Sequence, residues 1–190
     1  VGGPRCLSRG WCCCSSASSA CGWRLVVAVS EVYLQPWERA WAQHVGEQRD
    51  LANANKGDAP YYDPARMEDN VTASVAAACA ELAVAKLLNK YWDGSYWAAD
   101  EHRRFRDAPD VGRNTEVRRV RKPSSPLPVR ARDVERERIM VLAYPVPDEF
   151  VVVKVIGYGF ARDLWEVGAP ADYDREGTTR LVPQGSLKLL

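Results

Sequence analysis

The stretch Ala108–Lys122, APDVGRNTEVRRVRK, sets two carboxylates, Asp110 and Glu116, at the mouth of a run of arginines. Gly112-Arg113-Asn114 is good turn chemistry. A three-residue loop there puts Val111 opposite Thr115 and Asp110 opposite Glu116, with directly opposed Cβ atoms about 5 Å apart. Two carboxylates that close repel by a few kcal/mol at an effective dielectric of about 20. A divalent cation between them reverses the sign. Mg²⁺ is commonly held by one or two carboxylates, with phosphate oxygens and water completing its shell. Arg118 lies two residues past Glu116 and shares its face; Arg119 and Arg121 point the other way, toward solvent or a backbone phosphate. The same composition also suits a charge-rich hairpin at a sheet edge, where such residues block aggregation. These residues alone leave both readings open.

Downstream, the apolar period changes from helical to alternating. Strands are predicted at Glu116–Arg121, Leu127–Arg132, Arg138–Tyr144 and Phe150–Ile156, with a short one near Arg180–Val182. The turn-rich segments KPSSP and PVPDE separate them. Upstream, Pro36 stands at a helix N1 position before WERAWAQHVGEQRDLANAN. Trp37, Trp41 and Val45 recur there at helical spacing, which predicts the tryptophans in the core. KGDAPYYDPA, at 56–65, is a turn-rich connection, and a long helix is predicted from about Ala65 to Asn89. Helices first and strands afterwards predict an α+β layer fold, the long helix packed on a mostly antiparallel or mixed sheet.

Between Val71 and Leu88 the long helix carries only two charges, Glu81 and Lys86. Val71, Val75, Cys79 and Leu82 trace an apolar stripe, and Ala76, Ala77, Ala78, Ala80 and Ala83 leave room for another element to approach closely. An uncompensated carboxylate at Glu81 is costly to bury. Glu81 therefore reaches water at the edge of the buried face, pairs with an arginine from a strand, or belongs to a site.

The composition, 190 residues with 46% hydrophobic and 27% charged, is that of one globular domain with a real core. The net charge of +1 hides an asymmetry: Arg103–Arg138 carries 12 Lys/Arg against 6 Asp/Glu, so +6, leaving −5 on the rest. A basic segment fits contact with a polyanion, or a solvated arginine face. Five of the six cysteines fall in the first 21 residues, without zinc-ligand spacing and with no histidine near them. Residues 1–24 lack helical or strand period and are expected to be a disordered or spurious extension, with one domain over 25–190. The body, with one thiol at Cys79, reads as made for a reducing compartment. No stretch is read as a membrane span, so the expected location is the cytoplasm. His44 and His102 form no metal-ligand pair, and neither a nucleophile elbow nor a phosphate-cradling glycine loop is present.

The order Glu81 on a helix, then Pro109-Asp110, then Glu116-x-Arg118 on the next strand resembles the restriction-endonuclease-like nuclease superfamily, known by its Pro-Asp…(Asp/Glu)-x-Lys motif. AELAVAK, PDVG and EVRRVR, with the later YP and GY, look more closely like uncharacterised proteins of phages and environmental viruses, over about Val29 to the C-terminus. The resemblance implies a restriction-endonuclease-like core and metal-dependent hydrolysis of phosphodiesters, with DNA as the expected partner and the host cytoplasm as the setting if phage-encoded. It implies that Asp110 and Glu116 hold Mg²⁺ or Mn²⁺, that Glu81 binds the metal or its water, and that the Val117 carbonyl is a further candidate ligand. Arg113, Arg119, Arg121 and Lys122 are the candidate nucleic-acid contacts.

One departure matters: the superfamily's lysine is Arg118 here. A guanidinium stays protonated and cannot take a proton from water, but it can stabilise an anionic transition state. Lys122 and Lys154 are candidate substitutes in space; for Lys154 the competing reading is an edge lysine that blocks strand pairing between molecules. The resemblance requires Glu81, Asp110 and Glu116 to share one cation or its waters, with Glu81 and Glu116 on the same side of the sheet. The alternative function is a nuclease-like fold without catalysis, serving as a nucleic-acid-binding or protein-interaction module.

Overall fold

The computed structural model describes residues 29–54, 68–96, 108–147, 149–174 and 176–190. The expected extension at 1–24, the connection at 56–65 and His102 lie outside the described residues.

Helix α2 (Asn70–Leu87) starts where Asp69, in an extended conformation, accepts a hydrogen bond from the Thr72 backbone N–H at 2.8 Å. That is an N-cap, typically worth about 1 kcal/mol. Of the expected apolar stripe of α2, Cys79 is buried and Val75 and Leu82 pack against the core, but the buried surface extends well beyond it and leaves out Val71. Val71 is exposed, whereas Ala73, Ala76, Ala78, Cys79, Ala80, Ala83, Val84 and Ala85 are buried. Helix α2 is wrapped on several sides, and alanines bury wherever a neighbour comes close. Helix α1 (Pro36–Ala54) is that neighbour on one side. A Cβ at Gly46 would sit 2.5 Å from Val75 Cα and 2.6 Å from its N, so the two helix backbones touch. We expect Gly46→Ala to force the helices apart and cost roughly 1–3 kcal/mol, read as a lower urea midpoint with the slope unchanged. An unshifted midpoint would show that the helices can part there without penalty. The tryptophans of α1 are not core residues: Trp37 and Trp41 are 71% and 46% exposed, while Ala42 and Val45 are buried. Their spacing matched a helix face, but the face that α1 buries is the one carrying small residues that let α2 approach.

On its other side α2 meets a four-stranded sheet. Its strands are β1 (Ser30–Tyr33), β2 (Thr115–Arg119), β4 (Ile139–Pro145) and β5 (Val152–Phe160), in spatial order β1-β5-β4-β2. β1 and β4 run antiparallel to β5, and β2 runs parallel to β4, so the sheet is mixed and β2 is an edge. A second, antiparallel sheet has the order β3-β7-β6, from Leu127–Arg130, Thr179–Val182 and Ala169–Pro170. The fold is thus α+β, as expected, with two sheets.

Two further departures lie beside the second sheet. Residues 131 and 132, expected in a strand, open helix α3 (Ala131–Glu135). Asp133 at its third position accepts from the Arg130 backbone N–H at 2.8 Å and so turns the chain into a helical start. Helix α4 (Ala161–Val167) was not expected at all; it follows β5 directly, with Leu164 against Gly159.

Two hydrophobic clusters form on the faces of the main sheet. Val117, Val141, Ala143, Val153 and Val155 pack with α1 and α2. Met140, Leu142 and Ile156 pack with Leu127, Val129, Leu164 and Val182. By length and composition α2 is apolar enough to cross a bilayer, contrary to the sequence reading, yet half of it is buried against α1 and the sheet.

Candidate functional site

The hairpin forms as its turn chemistry predicts. Val111 and Thr115 exchange backbone hydrogen bonds of 3.1 and 3.2 Å, and Gly112 takes the positive φ of 59° that suits glycine. The ladder then stops. Asp110 does not continue opposite Glu116; its Oδ2 accepts from the Val117 backbone N–H at 2.7 Å. The carboxylate thereby takes the place a strand carbonyl would have filled. In a strand, a residue's N–H and C=O project to the same side. Thr115 and Val117 therefore turn their polar groups to the open edge of β2, while Val120 N–H bonds Ala143 on β4. Asp110 and the Val117 carbonyl thus share one open fork beside the edge strand.

Glu81 approaches that fork from α2. It is buried, held by Arg49 Nη1 at 2.7 Å and Trp92 Nε1 at 3.0 Å. Its arginine comes from α1 rather than from a strand, which corrects the sequence expectation. Glu81, Asp110, Asp93 and Arg49 line one cleft of about 170 Å³ with Ser95, Ala108 and Pro109. Liquid water occupies about 30 Å³ per molecule, so the cleft is large enough for a cation and a few waters.

Glu116 arrives differently. Thr115 and Val117 are buried on the α2 side, so alternation turns Glu116 and Arg118 toward the opposite face, level with Met140 and Leu142. The expectation that Glu81 and Glu116 lie on the same side of the sheet is therefore corrected. They flank Asp110 from either side of the sheet edge. Among the described residues, no three ligand side chains are gathered as a ready-made metal cage.

The electrostatics centre on Asp110. Burial, then the charges of Glu81 and Glu116, push its carboxyl well above the usual carboxylate range. The Val117 N–H and Arg118 pull the other way but are outweighed. Glu81 and Glu116 each have an arginine, whereas the hydrogen bond to Asp110 among the described residues comes from backbone.

Arg118 bonds Glu116 through Nη1, and Asp133 through Nη2 at 3.1 and 2.8 Å. Its side chain is 14% exposed. Burial works against its charge, but Glu116, Asp133 and Asp110 outweigh that and hold its pKa above the ordinary value. Arg119 is committed to Glu68, with hydrogen bonds of 2.9 and 2.8 Å, and so is not a free phosphate contact. Arg113, Arg121 and Lys122 are exposed. Lys154 lies on interior strand β5, paired with Glu31 of β1 at 3.0 Å, which overturns the edge-lysine reading and keeps the amine two strands away from β2.

The sequence reading missed two residues at Arg118, Asp133 of α3 and Arg130 at the end of β3, and Arg132 beside Arg130. Burial first, then the charges of Arg118 and Arg132, hold the Arg130 pKa below its usual value. A capping pattern, an acid three residues after the strand end at Arg130, was the available signal for Asp133. Lys90 was also missed; its Nζ donates to Thr115 Oγ1 at 3.1 Å and its stem covers Gly112.

Against protein-family models, curated proteins and solved structures, the chain has no match.

Proposed function

We propose that the chain is a metal-dependent nuclease that hydrolyses phosphodiester bonds, with DNA as substrate, acting in the cytoplasm. The observation that carries this reading is the fork at Asp110. A carboxylate is set beside the open backbone edge of Val117, between two further carboxylates, with its proton affinity raised by burial and by the charges of Glu81 and Glu116. The donor set is all oxygen, which suits Mg²⁺ or Mn²⁺. Asp110 and the Val117 carbonyl would hold the ion, with Glu116 from one face and Glu81, directly or through water, from the other; this lacks the one-sided placement of Glu81 and Glu116 that the superfamily resemblance requires, and it counts against the nuclease reading and toward the binding module below. A bound Mg²⁺ supplies polarisation of the scissile phosphate and an acidified water. Arg118 offers positive charge to the phosphate as its negative charge grows. It is no general base, and Lys154 is committed to Glu31.

A second reading has its own support. Arg118 is shared by two carboxylates and Glu81 is tied to Arg49, so internal ion pairs already compensate much of the acidic group. That arrangement favours a nuclease-like module that binds nucleic acid or protein without cutting. Calorimetric titration of Mg²⁺ and Mn²⁺ into the wild type and into Glu116→Ala tests the choice, followed by incubation with single- and double-stranded DNA. The nuclease reading expects binding heat that is lost in the variant, and metal-dependent cleavage. Steeply salt-dependent DNA binding without cleavage would transfer the conclusion to the binding module. Neither cleavage nor binding would remove both nucleic-acid readings.

A further inference from the structure

The apolar stripe of α2 ends in the open, with Val71 exposed. Val71, Val75 and Cys79, four residues apart, floor a cleft of about 450 Å³ between α1, α2 and the turn that joins β4 to β5. That volume lies in the range of small-ligand sites. Burial pushes the Cys79 thiol up to about 12, so it stays protonated and serves as an apolar surface. Arg39, Gln43 and Glu47 of α1 form one wall. Gln43 Nε2 donates to Glu47 Oε1 at 2.8 Å, and Thr72 donates its N–H and its hydroxyl to Asp69 at 2.8 and 2.7 Å. Arg39 is less well served. Among the described residues its guanidinium has one acceptor, Glu149 Oε2 at 2.8 Å, and its Nε is buried with none.

Glu149 holds that guanidinium loosely. Its side chain is 78% exposed, and ion pairs so open to water are weak. It also stands on unfavourable backbone: Glu149 and Phe150 both lie in the left-handed region, at φ 62° and 52°, where residues with a Cβ are strained. Phe150 packs against the core and lines the cleft with Val75. The turn thus lays a carboxylate on Arg39 and an aromatic ring on the adjoining apolar surface, as a tethered ligand would. We propose that this cleft binds a small linear monocarboxylate, its head on Arg39 in place of Glu149 and its apolar chain along Phe150, Cys79, Val75 and Val71. Charge sets the orientation. Glu47 lies eight residues from Arg39 on α1, about 12 Å at helical rise, and repels the head from that end. Gln43 and Thr72 are already paired, so the cleft asks for one polar head and no further hydrogen bonds. A guanidinium fork suits a carboxylate, which it can hold by two parallel bonds. The cleft shares no residue with the acidic one at Asp110, and the proposal does not depend on the nuclease reading.

Calorimetric titration of decanoate into the full chain is the test. One saturable site is expected, with affinity falling about two- to fourfold for each methylene removed in octanoate and hexanoate. 1-Decanol, which lacks the charged head, should bind at least about tenfold more weakly, and so should decanoate to Arg39→Gln. Glu149→Gln removes the internal competitor and should tighten decanoate binding by about two- to fivefold, the scale of an exposed ion pair. Amide shifts on adding decanoate should centre on Val75, Glu149 and Phe150. The absence of saturable binding, equal binding by 1-decanol or by Arg39→Gln, or shifts centred elsewhere would overturn the proposal. If Arg39→Gln does not fold, Glu149→Gln decides, since its side chain is exposed on a turn. Tighter binding there supports displacement of Glu149, and unchanged or weaker binding overturns it.

Discussion

Arg118→Ala is expected to lower folding stability by about 3–5 kcal/mol, the scale for leaving a buried charge without its partner. The guanidinium it removes faces Glu116 and Asp133, whose side chains are 12% and 4% exposed. Both carboxylates would then repel across the space it vacated, with Asp110 adding to the repulsion. Urea unfolding at neutral pH reads the loss directly. A cost below about 1 kcal/mol, typical of exposed pairs, would mean that the ion pairs are far more solvated than their burial indicates. Arg118→Lys restores charge but not the two-ended grip, so only part of the loss should return. In a cleavage assay the lysine variant should match or exceed the wild type, since it restores the residue of the nuclease pattern. The alanine variant should be inactive while still binding DNA.

Asp110→Asn is expected to act in opposite directions on stability and on chemistry. Under the proposed nuclease function, cleavage should fall by on the order of 10²–10³, because a proposed metal ligand and its charge are lost. Metal-free stability at pH 7 should rise by roughly 1–3 kcal/mol, the scale of relieving an uncompensated buried polar group. The pH dependence follows from the direction of the Asp110 shift. A carboxyl whose pKa is raised by folding holds its proton more tightly in the native state than in the unfolded chain. Below the ordinary carboxylate pKa of about 4 it is protonated in both states and carries no penalty. The penalty grows as pH rises above that value, and is complete only above the raised native pKa. The stability difference between Asp110→Asn and wild type should therefore be near zero at low pH and widen toward neutrality. A difference that does not change with pH would place Asp110 in a solvated setting. Comparing the two proteins cancels the exposed carboxylates Asp69, Asp174 and Glu31, whose pKa values move downward.

The parts of this fold that were legible in the sequence are those fixed by local rules. Gly112-Arg113-Asn114 gave the hairpin because a turn needing positive φ selects its own residues. Pro36 marks a helix start and apolar runs mark β4 and β5, whereas the long helix, expected from about Ala65, begins at Asn70 behind an Asp69 cap that the sequence reading did not single out. What failed was orientation. Trp37 and Trp41 sit at helical spacing, but period alone does not say which face a neighbour will cover, and here Gly46 decided it. Lys154 looked like an edge residue because strand order is a non-local property; β1 arrives from the other end of the chain to pair with it. In the site, Asp110, Glu116 and Arg118 were legible as chemistry, and Glu81 as an anomaly in an alanine helix. Asp133 was hidden because its contact with Arg118 joins two sheets, and nothing in local periodicity reports on that.

The contact at Gly46 reaches further than packing. Arg49 lies three residues along α1, about 4.5 Å at helical rise, and Glu81 follows Val75 on α2. The backbone touch at Gly46 and Val75 therefore works as a spacer that sets how far Arg49 stands from Glu81, now 2.7 Å. Any side chain placed at Gly46 widens that spacing and loosens the grip on Glu81. Glu81 would then turn toward Asp110 with its full charge. A residue with no titratable atom, remote in sequence from every carboxylate it influences, would in this way act as the adjusting screw of the acidic cleft.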